Sequence, residues 1–107
     1  MIVVLFQTKL RADADQQEYE KLAERMLELV QQNPGFISIN SYPDSDGGEL
    51  TIVRFASEEA LEAWRTHPEH LQVQQLGRTK FYESYHIDVC NLARQREYPQ
   101  TTPSPTV

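Results

Sequence analysis

Apolar residues run from Ile2 to Leu10 with Val3 and Leu5 on one side and Val4 and Phe6 on the other, which predicts a strand buried on both faces. From Asp15 the period changes. Tyr19, Leu22, Ala23, Met26, Leu29 and Val30 fall on one helical stripe, while Glu18, Glu20, Lys21, Glu24, Arg25 and Glu28 solvate the rest. Asp13 or Asp15 is placed to cap this helix, and Asn33-Pro34-Gly35 to end it. Phe36 to Tyr42 and Glu49 to Phe55 read as two strands. The turn formers Pro43 to Gly48 between them predict an antiparallel hairpin. Ser57 caps a second helix carrying Leu61 and Trp64. Thr66 and Glu69, in capping-box spacing around Pro68, predict a fresh start, so that a third helix or a bent continuation runs to about Gly77. Phe81 to Asn91 is the last strand, with Tyr85, Ile87 and Val89 on one face and Ser84, His86, Asp88 and Cys90 on the other.

The order β-α-β-β-α-β, with the second helix bent, predicts an α+β fold of ferredoxin-like split βαβ type: a four-stranded antiparallel sheet with its helices on one face. Strands one and four read as apolar on both faces, so the uncovered sheet face is expected to be too apolar for a monomer. A homodimer formed through the sheets is predicted. The domain is expected to span residues 1–96, and the Pro-rich, anchor-free segment 97–107 to be a disordered C-terminal tail.

Composition narrows the function classes. The chain of 107 residues fits one domain, and 16 acidic against 10 basic side chains give a formal net charge of -6. That balance repels phosphate backbones and anionic membrane surfaces, so neither nucleic acid nor a membrane is an expected partner. No apolar run is long enough to cross a bilayer, and the apolar start is too short for a signal segment. The single cysteine, Cys90, has no intrachain disulfide partner and is expected to be a small buried filler; a cytoplasmic location follows.

The stretch Phe55-Ala56-Ser57-Glu58-Glu59-Ala60-Leu61-Glu62-Ala63-Trp64-Arg65-Thr66-His67-Pro68-Glu69-His70 runs from strand end through helix and tryptophan to histidines. With the order of elements over Met1 to Arg96, it resembles the antibiotic biosynthesis monooxygenase (ABM) family of dimeric α+β barrel proteins. The resemblance implies a pocket between sheet and helices in each subunit. Its members include cofactor-independent oxygenases of quinols and polyphenols, haem-degrading enzymes and small-molecule isomerases.

Read on these residues, the resemblance points to Trp64 as an aromatic wall whose indole N–H can donate to a substrate oxygen. His70 is the candidate base for a substrate hydroxyl, since imidazole titrates near neutrality. On a straight helix the two lie about 120° apart, and His67 and Leu71 lie nearer the tryptophan's face, so the helix must bend at Pro68 for both to meet one pocket. Gln7, a polar amide on the first strand where haem-degrading relatives carry asparagine, completes the expected catalytic set. Asn40 and Tyr42, read as sharing a face with Phe36, join His67 and Gln74 as candidate substrate contacts.

Two positions depart from the family pattern. The haem-ligating histidine expected ten residues after the tryptophan is Gln74, a poor iron ligand, and the asparagine of several oxygenases is Ala60. His67 and His70 lack a third ligand in a recognised spacing, so neither a metal nor another cofactor is expected.

The leading expectation is a cofactor-independent monooxygenase that takes a small quinol-like or polyphenolic aromatic compound and dioxygen. An isomerase of a small oxygenated metabolite and a non-enzymatic dimeric small-molecule-binding protein are the alternatives.

Overall fold

The computed structural model describes residues 1–99, so most of the predicted tail lies outside the described residues. β1 (Ile2–Leu10) is followed by α1 (Gln16–Gln31), β2 (Phe36–Pro43), β3 (Glu49–Phe55), α2 (Glu58–Arg65), α3 (Pro68–Leu76), a π-helical turn (Gly77–Phe81) and β4 (Tyr82–Asn91). The strands form one antiparallel sheet in the order β2-β3-β1-β4. This is the ferredoxin-like α+β fold, with α2 and α3 as separate helices in place of one bent one.

Local chemistry sets the helix ends. The carboxylate of Asp15 accepts from the Glu18 N–H at 3.1 Å, while Asp13 is held by Arg11 instead. The Ser57 hydroxyl accepts from the Ala60 N–H at 3.2 Å and starts α2. The predicted Thr66 cap is corrected: Thr66 donates its hydroxyl hydrogen backward to the Glu62 carbonyl at 2.8 Å, and the His67 ring nitrogen Nδ1 caps α3 by accepting from the Glu69 N–H at 3.2 Å. The chain therefore breaks between Arg65 and Pro68, where two helix ends must be satisfied at once.

Partners across an antiparallel ladder share a face. Ile2 pairs with Phe55, Val4 with Val53 and Val89, and Phe6 with Ile87. Ile2, Phe55 and Val30 form the buried core, with Val4, Phe36, Val53, Ala60, Leu61 and Trp64 packed around it. The even-numbered side of β1 is thus the helix side. Burying side chains of this size is worth about 1.5–3 kcal/mol each.

The opposite face carries Val3 and Leu5 of β1 beside Ile52 and Leu50 of β3, all half-buried. Two expectations change here. The apolar patch on the open face comes from β1 and β3, whereas β4 presents Ser84, His86, Asp88 and Cys90 there. Cys90 is exposed, not a buried filler.

Candidate functional site

Asn33 ties the end of α1 to the start of the tryptophan helix. Its amide donates to the Ala60 carbonyl at 2.9 Å, and its side-chain oxygen accepts from the Gly35 N–H at 2.8 Å. Ala60 packs against Gly35 so closely that a Cβ on Gly35 would collide with the Ala60 methyl. The side chain at 60 is therefore spent on this contact, and α2 is seated with Trp64 against the core.

Because the helix breaks after Arg65, His70 swings onto the tryptophan. The two rings are stacked, 4.0 Å between centroids and 18° apart, while His67 lies 6.1 Å away at 44°. His70 Nδ1 stands 3.0 Å from the Trp64 carbonyl oxygen. That oxygen can only accept, so this shorter contact fits a proton on Nδ1 and a lone pair on Nε2. The Gln74 amide nitrogen donates to the Arg65 carbonyl at 3.1 Å and lies 3.2 Å from Nδ1, where it faces a second donor. Burial lowers the His70 pKa below the ordinary 6.5; the Trp64 carbonyl opposes this and the nearby His67 adds to it. At neutral pH the ring is uncharged as it lies on the tryptophan face.

An open groove of about 370 Å³ runs between α2 and β4, lined by Glu58, Glu59, Leu61, Glu62 and Val89, with neither Trp64 nor His70 among its lining residues. Leu61 stands one turn before Trp64.

The structure brings Trp64, His70, His67 and Gln74 into one cluster and does not bring Gln7, Asn40 or Tyr42 to it. Gln7 is exposed on the open sheet face, opposite His86 and Leu50. Asn40 pairs with Ile52 and Tyr42 with Leu50, on that same face. The expectation that they share a face with Phe36 is corrected: the ladder slips between Phe36 and Ser38, and one extra residue reverses the sides that follow. On the open face, His86 Nε2 and Asp88 Oδ1 make an exposed contact of 3.0 Å, next to a shallow depression that includes Gln7 and Lys9.

A model described as antibiotic biosynthesis monooxygenase matches residues 1–76. The chain belongs to the antibiotic biosynthesis monooxygenase family. The Bacillus subtilis (strain 168) protein YqjZ, itself uncharacterized, is 37% identical over 84 residues, which is 78% of this chain and 74% of YqjZ. The structure of Rv0793 from Mycobacterium tuberculosis is similar at a TM-score of 0.72 and 26% identity, over 91% of this chain and 97% of that one. SnoaB, a cofactor-independent oxygenase from Streptomyces nogalater, shares the fold at a TM-score of 0.71 and 13% identity, over 92% and 97% of the two chains. In this ABM protein the Trp64–His70 stack occupies the segment that carried the resemblance.

Sequence reasoning missed one pair on the helix side. The hydroxyls of Tyr19, on α1, and Tyr82, at the start of β4, are 3.0 Å apart. Tyr19 heads the apolar stripe of α1 and Tyr82 opens the last strand; only the assembled sheet shows that they meet.

Proposed function

We propose that this ABM protein is a cofactor-independent monooxygenase acting on a small quinol-like or polyphenolic aromatic compound. The observation that carries the reading is the stack of His70 on Trp64, with His70 Nδ1 at the Trp64 carbonyl and Nε2 left to act as the base. His70 Nε2 takes the proton of a ring hydroxyl, and Trp64 lies against the flat substrate. The resulting phenolate passes one electron to dioxygen, and the two radicals combine to a peroxide on a ring carbon. Loss of water, with the imidazolium returning its proton, leaves a carbonyl on that carbon. One dioxygen is consumed per carbonyl and water formed, so the protein supplies a base, orientation and exclusion of water. Gln7, Asn40 and Tyr42 take no part in this reading.

The protein works as a cytoplasmic homodimer in which two open sheet faces meet through Val3, Leu5, Leu50 and Ile52. Half-buried aliphatic side chains in the middle of an uncovered sheet face support this assembly. The chemistry is tested by oxygen uptake with a panel of hydroquinones and naphthols, together with mass analysis of the product under ¹⁸O₂. The reading requires label in a new carbonyl and one oxygen per turnover; turnover that persists without oxygen would instead fit an isomerase.

A further inference from the structure

Tyr85, Ile87 and Val89 lie on the helix side of the edge strand β4 yet stay 45%, 49% and 57% exposed. Val89 edges the groove at α2. At about 3.3 Å per residue, the strip from Val89 to Tyr85 is roughly 13 Å long. Its far end is polar. There the Tyr85 ring meets Phe6 and Tyr82, each at 6.1 Å, and the Tyr82 hydroxyl meets that of Tyr19.

Two hydroxyls carry two hydrogens, and their mutual bond uses one. Among the described residues no acceptor takes the other. Ring contacts set where the two hydroxyls stand. Tyr82 stands edge-on to Phe6 at 5.8 Å, and its Cε2 lies so near Gly77 that a Cβ there would be 2.7 Å away. Tyr19 is held against Phe81 at 5.5 Å. Burial raises the pKa of both phenols, and the nearby Glu49 carboxylate adds to the rise, so both stay neutral. A fixed neutral donor near a carboxylate selects a neutral oxygen acceptor and rejects an anion.

We propose that the Tyr19–Tyr82 hydroxyl pair is a second ligand site, one that hydrogen-bonds a neutral carbonyl or hydroxyl oxygen of a flat aromatic molecule lying on Tyr85 and Ile87. It rests on the helix-side placement of the substrate in the oxygenase reading and not on the oxygen chemistry.

The test is equilibrium binding of 2-naphthol, naphthalene and 2-naphthoate to the full chain. Wild type binds 2-naphthol more tightly than naphthalene or 2-naphthoate. In Tyr19→Phe/Tyr82→Phe the 2-naphthol affinity falls about tenfold, the loss of one or two hydrogen bonds, while naphthalene binding is unchanged. The double variant is the decisive one, because a single remaining hydroxyl regains a free hydrogen. If it does not fold, the preference of wild type for 2-naphthol over both naphthalene and 2-naphthoate decides. Equal binding of 2-naphthol by wild type and the double variant, or no preference for 2-naphthol in wild type, overturns the proposal. Tyrosine-dependent binding without oxygen uptake would keep this site and remove the oxygenase reading; uptake with tyrosine-independent binding would do the reverse.

Discussion

His70 lies flat on the Trp64 indole and sends its Nδ1 hydrogen to the carbonyl of that same tryptophan. One residue thus supplies both the surface and the tether, and the imidazole cannot leave the stack without breaking its hydrogen bond.

The stack gives an optical readout, because Trp64 is the protein's one tryptophan. A protonated imidazole against an indole quenches its fluorescence, so emission should fall with acid at a midpoint below 6.5. The fall should vanish in His70→Gln. The same shift sets a stability change. With the folded pKa lowered, the unfolded chain takes the proton first, so stability is full above pH 6.5 and is lost as pH falls toward the folded value. Denaturant melts of wild type and His70→Gln across that window measure the loss.

Gly77→Ala should destabilise by about 1–3 kcal/mol although the site has ordinary helical angles. The new methyl meets the Tyr82 ring and pushes its hydroxyl from Tyr19. A melt gives the cost, and 2-naphthol affinity should fall with it.

Asn33→Ala should cost about 1–3 kcal/mol, because the part-buried Ala60 carbonyl and Gly35 N–H both lose a partner. Asn33→Asp should recover the Gly35 contact but not the one to Ala60. Comparing the melts of the two variants separates the two bonds.

If the open sheet faces meet in a dimer, Leu5→Lys/Ile52→Lys should give a folded monomer, since both side chains stand at the centre of that face. Sedimentation velocity with circular dichroism tests this; an unchanged dimer would place the interface elsewhere.

Strand and helix positions were legible in the sequence because period and caps agree: Glu49–Phe55 is as read, and Ser57 and Asp15 cap as expected. The faces were less so. β1 is apolar on both sides, so nothing within it says that Val4 and Phe6, and not Leu5 and Gln7, look toward the helices. That follows from its pairing with Phe55. The slip after Phe36 reverses Asn40 and Tyr42, and no glycine marks it. Near Trp64, Pro68 signalled a break, but the angle of the break depends on Thr66 and His67 each satisfying a helix end. That angle brings His70 onto the indole.

The most direct measurement for the central claim is the pH–rate profile of oxygen consumption with a dihydroxynaphthalene, wild type against His70→Gln. If His70 is the base, wild type consumes oxygen with an acid limb below pH 6.5, and the variant loses about 10²-fold or more together with that limb. Equal rates with the same profile would contradict the account.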